Sequence, residues 1–351
     1  MFILNPNALQ EADSMANSMN RILVTTIVKN AIHNLKKDPD RTTRNLIDMA
    51  SRFADSRFQQ QFYRQIQSML QNESSAYYNL IRDSISRINE DTLLTFGMNL
   101  GYNGLYLGGN KIRNREKELG YGIPWTISLT IQDGRVFDPH HKIIQQGEDM
   151  GIHSWYLFSD HAIHECISIA CKHPESAFTI FCDTHEISGA ILDIASECRN
   201  IALVIPFTKD TDIMCELLRL SGILYGIYFS YQESDFPAIA SGELLEEMQQ
   251  LYPVMCMFKP KFLCQTELRR QVYDWIVKTR MDQKHQTIPF DLYEDIKMVD
   301  SVISDGPIWV GFDEYGQLNT DNGVDRTYGL NIFVNDLPEI LKRAFPKRKE
   351  A

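Results

Sequence analysis

The sequence predicts an α/β protein: an N-terminal helical region, then a partial (βα)6 barrel, then a small α/β C-terminal extension. Three observations lead there. Proline and glycine are almost absent from residues 8 to about 100, and apolar residues recur there at three- and four-residue steps, the spacing of one helix face. Residues 101 to 125 then crowd six glycines into a short segment: Gly101, Gly104, Gly108, Gly109, Gly120 and Gly122. Beyond Trp125, short apolar or β-branched runs alternate with helix-length amphipathic stretches. That is the order of a parallel sheet with crossover helices.

In the helical region, Ile22, Ile27 and Ile32 form one stripe. Leu46, Phe53, Phe58, Phe62 and Leu70 extend it past the break at Pro39-Asp40. A charged helix is expected over Lys111 to Leu119. The strands expected after it are Thr126–Ile131, His153–Phe158, Ala177–Cys182, Ile201–Phe207, Leu224–Tyr231 and Pro253–Phe258. Helices over Lys142–Met150, His164–Lys172, Ser188–Cys198, Asp212–Ser221 and Ser241–Leu251 separate them. Past residue 265 the alternation weakens. Thr266 to Met281 reads as one helix with Thr266 as its N-cap. Ile308–Asp313 and Gln317–Thr320 flank Glu314-Tyr315-Gly316 as a hairpin, and a last helix runs from Leu337 to Ala344. The expected divisions are therefore 1–100, 101–265 and 266–351.

The totals narrow the function. A chain of 351 residues with 44% hydrophobic and 23% charged residues can bury a sizeable core. A net charge of −11 argues against non-specific affinity for nucleic acid or for an anionic membrane. The Lys347-Arg348-Lys349 run reads as a solvated tail. The seven cysteines, Cys166, Cys171, Cys182, Cys198, Cys215, Cys256 and Cys264, are odd in number and come without a secretory leader. Both points fit a reducing cytoplasm. No stretch has the length and apolarity of a transmembrane helix.

Several segments in collinear order resemble radical SAM enzymes, most closely the group with a helical N-terminal extension and a SPASM-like C-terminal segment. Ile123-Pro124-Trp125 entering a strand, then Ile143 to Gly151, resembles that family's first βα unit. Cys171-Lys172-His173-Pro174 with Ala177-Phe178 resembles its passage into the third strand, and Tyr225-Gly226-Ile227 followed by Ala238–Met248 its fifth unit. Trp309–Thr320 and Asn331–Phe345 resemble its C-terminal part. The similarity runs from about Asn45 to Phe345.

The resemblance implies a radical-SAM-type barrel, and the departures from it carry equal weight. The family holds its [4Fe–4S] cluster on three cysteines spaced C-x3-C-x2-C after the first strand, because soft thiolates retain such clusters. Here 21 residues separate Trp125 from Gly147, and none is a cysteine. The glycine-rich motif after the second strand is replaced by Phe158-Ser159-Asp160-His161-Ala162. Val302 and Asn319-Thr320-Asp321 stand where C-terminal cysteines are expected. The chain thus reads as a degenerate relative, not an active radical SAM enzyme, and no cofactor is expected.

Ligands of αβ barrels bind at the C-terminal ends of the strands. Those ends nominate Asp160 and His161, Asp183 and His185, Thr208 and Lys209, Gln232 and Glu233, and Lys259 and Lys261. The expected ligand-binding set at this mouth is Asp160, His161, Asp183, His185, Lys209, Glu233 and Lys259. If a transition metal such as zinc binds, Asp160, His161 and His185 are its expected ligands. Seven of the nine histidines lie between His140 and His185, without the spacing of a known metal site.

The function expected from these residues is a non-catalytic radical-SAM-like protein that binds a protein, peptide or small ligand and partners an active homologue. The alternative is a repurposed metal-dependent or acid–base enzyme with its site at the barrel mouth. A homodimer or heterodimer through the N-terminal helices is the expected assembly.

Overall fold

A computed structural model describes residues 6–52, 57–134, 138–261, 264–304 and 306–347. Among the described residues the N-terminal region is made of helices: α1 Pro6–Leu35, α2 Pro39–Arg52, α3 Arg57–Leu70, α4 Ala76–Arg87 and α5 Glu90–Gly97. Ser75 and Asn89 cap α4 and α5, their side chains accepting from the backbone N–H groups of Tyr77 and Asp91. Ile32, Leu35 and Ile85 are the buried centre of this layer. Ile22, expected in the same stripe, is instead 65% exposed. Phe53 lies outside the described residues, as do the side chains of Phe58 and Phe62.

The glycine-rich segment, where a domain boundary is expected, is helical as well. Met98–Gly108 winds as a wide π-helix and runs straight into α6, Gly109–Leu119. π-Helices are rare and usually a single turn. The glycines here answer a packing demand: a Cβ on Gly108 would lie 2.2 Å from the carbonyl oxygen of Gly151. Gly151 itself has φ +106, so two backbones meet where no side chain fits. Asn99 and Asn103 clamp this segment to the barrel, donating to the carbonyls of Pro174 and Glu175, each at 2.8 Å.

Six βα units follow: β1 Thr126–Gln132, α7 Asp138–Met150, β2 Ser154–Asp160, α8 Ile163–Lys172, β3 Ala177–Phe181, α9 Gly189–Glu197, β4 Ile201–Pro206, α10 Thr211–Leu220, β5 Tyr225–Tyr231, α11 Phe236–Ser241, α12 Glu243–Gln249, β6 Met255–Pro260 and α13 Thr266–Asp282. The helix expected over Ser241–Leu251 is α12, and a short helix, α11, precedes it, the two separated at Gly242 with φ +86. Gln265, not Thr266, precedes the first turn of α13. Then come β7 Ile288–Asp291, α14 Glu294–Ile303, β8 Val310–Phe312, β9 Leu318–Thr320, β10 Gly323–Val324 and α15 Leu337–Ala344.

All ten strands form one sheet, ordered β10-β9-β8-β1-β2-β3-β4-β5-β6-β7. β1 to β7 are parallel, β8 joins β1 in parallel, and β9 folds back on β8 as the expected hairpin. The sheet curls into a partial barrel. Its outer face packs on the helices through Ile127, Leu129, Ile131, Trp155, Leu157, Phe178, Ile180 and their neighbours.

Buried carboxylates tie the ends together. Asp300 of α14 accepts from the backbone N–H of Trp125 at 2.7 Å and of Ile308 at 2.8 Å, fixing the approaches to β1 and β8. Glu116 of α6 accepts from Ile123 N–H and from Lys347 Nζ, at 2.8 and 2.9 Å. Lys347 is therefore paired to a buried carboxylate, unlike the solvated tail expected. Arg348 and Lys349 lie outside the described residues. Among the described residues no helix is long and apolar enough to cross a membrane.

Candidate functional site

Period-2 alternation decides which side chains face the hollow of the half-barrel. Outward residues of β1 enter the helix-covered core, which leaves Ser128 and Thr130 on the concave side. From the other strands the hollow receives Tyr156, Phe158, Phe181, Val204, Tyr228, Met257 and Phe290, joined by Trp309 beside β8. Phe158 and Phe181 stack with centroids 4.5 Å apart, and Tyr293 meets Trp309 edge-on at 5.2 Å. Much of the concave face is therefore filled by aromatic rings.

A cavity of about 190 Å³ remains at this face. Ser128, Thr130, Lys259 and Asn319 supply its polar groups, while Phe158, Tyr293 and Trp309 wall it. Lys259 Nζ sits 4.9 Å over the Phe158 ring. Burial pushes the Lys259 ammonium below the usual lysine range, and no neighbouring charge opposes it.

The other nominated residues lie on the rim. The Asp160 carboxylate accepts from Gln132 Nε2 at 3.0 Å. His161 follows β2 in the left-handed region, φ 57, which non-glycine residues seldom adopt. Its ring centroid lies 5.4 Å from that of His185. His185 Nδ1 in turn lies 4.0 Å from Asp183 Oδ2, both side chains being largely exposed. Lys209 is exposed on the loop before α10. Glu233 Oε1 accepts from the Gln265 N–H at 3.2 Å. The structure thus pairs His161 with His185 and sets Lys259 apart from them, inside the hollow.

Strand-end reading missed Ser128, Thr130 and the aromatic lining. The signal was present in the alternation Thr126, Ser128, Thr130 against Ile127, Leu129, Ile131.

Of the remaining histidines of the rich window, His141 and His173 gather beside Glu148. Glu148 Oε2 lies 3.2 Å from His173 Nδ1, and His173 Nε2 lies 3.1 Å from His141 Nδ1. Ser176 Oγ donates to Glu148 Oε1 at 2.6 Å. Hydrogen bonds from His173 and Ser176 hold the Glu148 carboxyl below its usual range, against the opposing effect of its burial. His140 stands apart, edge-on to Phe333, and burial lowers its pKa to about 4.

The cysteines do not fit a thiolate-held cluster at the mouth. None lies in the segment between β1 and α7. Cys166, Cys182, Cys215 and Cys256 are buried in the helix-covered core, and Cys171 and Cys198 pair with each other. Among the described residues no three His, Cys, Asp or Glu side chains converge as a metal's ligands. The zinc set of Asp160, His161 and His185 is corrected by this geometry, with the Asp160 carboxylate held by Gln132.

Fold and hollow together define the class as a curled α/β half-barrel with a partly filled concave face. No protein-family model and no curated protein matches the chain. Solved structures that do match include SuiB of Streptococcus suis, 11% identical over 65% of this chain and 68% of that one, with TM-score 0.49. SuiB bound to its precursor peptide SuiA matches at 11% identity over 65% and 67%, with TM-score 0.50. SuiB bound to S-adenosylmethionine matches at 10% identity over 65% and 66%, with TM-score 0.47. At such identities the likeness concerns the fold. The expectation that no cofactor is bound is nonetheless overturned, because the matched protein has been solved holding S-adenosylmethionine.

Proposed function

We propose that this chain is a non-catalytic radical-SAM-like protein that binds a peptide or protein segment at the mouth of its half-barrel. The observation that carries this reading is the segment after β1: it contains no cysteine, so the three thiolates that would hold a redox cluster there are missing. Two further points support it. The concave face is packed with aromatic side chains around a small cavity, and SuiB, of similar fold, has been solved with a precursor peptide. Binding of S-adenosylmethionine is compatible with the proposal; reductive cleavage of it is not.

The candidate mouth residues remain Asp160, His161, Asp183, His185, Lys209, Glu233 and Lys259. On α1, Ile22 and Leu23 are 65% and 54% exposed. Such neighbouring apolar side chains favour a second chain, either another copy or an active homologue, docking on the N-terminal helices. The test of the function is to supply the anaerobically reconstituted protein with S-adenosylmethionine and dithionite. Recovery of S-adenosylmethionine intact supports a non-catalytic role, and 5′-deoxyadenosine would refute it.

A further inference from the structure

We infer that the cavity on the concave face is a carboxylate-binding site, in which Lys259 receives the anionic end of a ligand whose apolar body lies against Phe158 and Trp309. This deepens the proposal that the mouth binds a ligand, and rests on it.

Lys259 carries an unmatched charge. Lys259 projects inward from β6, in register with Ser230 of β5. Among the described residues it makes no ion pair and no hydrogen bond; its one contact of note is the face of Phe158. A cation–π contact offsets only part of the cost of withdrawing a cation from water without an anionic partner. The charge therefore awaits an acceptor. Three other polar side chains at the cavity also lack a side-chain partner. Ser128 Oγ, Thr130 Oγ1 and the Asn319 amide have no side-chain partner among the described residues. Buried or half-buried polar groups are seldom left so without a ligand or water to satisfy them.

The composition of the wall then selects the ligand. One cation matches one negative charge, and the hydroxyls and amide match the remaining lone pairs of a carboxylate. A doubly charged phosphate would bring more charge than a single lysine balances. The aromatic wall suits a flat or aliphatic body, and about 190 Å³ admits a small molecule or one side chain. Two sources supply this chemistry: a free small carboxylate, and an acidic side chain of a bound peptide.

Benzoate serves as the probe for the first source, with benzamide as its neutral counterpart. A short acetylated peptide with a central glutamate serves for the second, with its glutamine counterpart. Binding is read from tryptophan fluorescence, since Trp309 lines the cavity. One charged probe is expected to bind, and Lys259→Met to weaken it by ~10-fold or more, the effect of losing a charge-assisted hydrogen bond. Lys259→Arg should retain most of the binding, and the neutral probe should not distinguish the variants. The probe that binds identifies the source. As a measurement free of folding effects in the variant, the bound probe should protect Lys259 of the native chain from reductive methylation, read by mass spectrometry. The inference is overturned if neither charged probe binds, if Lys259→Met binds as well as the native chain, or if Lys259 is methylated equally with and without probe. Formation of 5′-deoxyadenosine would refute the non-catalytic reading and leave these titrations unchanged.

Discussion

Replacing Gly108 by alanine tests whether the close crossing of the π-helix and the α7–β2 turn organises the barrel. The added Cβ would stand 2.2 Å from the Gly151 carbonyl oxygen and 2.7 Å from that of Asn103. Real Cβ contacts stay beyond 3.0 Å, so one backbone must retreat by at least 0.8 Å, the difference between 3.0 and 2.2. No flexible side chain is there to absorb the shift. Overpacking of this kind costs about 1–3 kcal/mol, and the backbone obstruction puts Gly108→Ala at the upper end. Gly101→Ala is the internal control. It lies in the same helical segment with nothing within 4 Å of the added Cβ. Helix propensity alone then predicts about 0.5–1 kcal/mol of stabilisation. Urea denaturation monitored by circular dichroism gives both values. Opposite signs support the crossing; two stabilised variants would refute it and leave the glycines a matter of propensity.

Three further outcomes follow from the same geometry. Burial pushes the Asp300 carboxyl up to about 7, despite the lowering effect of the N–H groups of Ile308 and Trp125 and the Ser304 hydroxyl. A raised acid pKa makes the fold bind its proton more tightly than the unfolded chain does, so stability should decline as pH rises from about 4 to about 7. Asp300→Asn should flatten that decline, measured as urea midpoints at pH 5 and pH 7.5; an unchanged slope would contradict the assignment. Cys171 Sγ lies 2.7 Å from Cys198 Sγ, and their hydrogen bond lowers the Cys171 pKa to about 7. Oxidised glutathione should therefore join these two first, with two thiol protons lost and the glutathione disulfide reduced; peptide mapping that finds another pair, or none, would refute this. Finally, Glu148→Gln should destabilise the chain by about 1–3 kcal/mol, because Ser176 and His173 lose a charged acceptor; unaltered stability would show that water replaces it.

The fold was legible where period and punctuation agreed. Ile127, Leu129 and Ile131 alternate with polar partners, and the six βα units could be counted from such runs. β7 escaped notice because it is four residues long and contains Pro289. Its place at the edge of the sheet explains why the missing N–H is tolerated. The hairpin over β8 and β9 was visible through Gly316. The parallel pairing of β8 with β1 was not, since long-range register leaves no local trace. Likewise the glycines after residue 100 suggested a domain boundary, and the close approach of Gly108 to Gly151 that they permit leaves no local trace.

The site was legible in outline. Reading strand ends named Lys259, but it gave equal weight to exposed rim residues such as Lys209 and Glu233. Residues facing the hollow from mid-strand, Ser128 and Thr130 among them, become visible only once each strand is divided into its two faces. The histidine-rich window dissolved into separate groups: His161 pairs with His185 on the rim, and His141 with His173 beside Glu148. Linear proximity therefore did not translate into one site.

The central claim is that this barrel binds without performing radical chemistry, and its most direct test is the fate of S-adenosylmethionine. The protein is treated anaerobically with iron and sulfide, desalted, and incubated with S-adenosylmethionine and dithionite before chromatography. The account predicts that S-adenosylmethionine is recovered intact and that no 5′-deoxyadenosine forms above a protein-free control. Stoichiometric or catalytic 5′-deoxyadenosine, lost on heat denaturation of the protein, would contradict it.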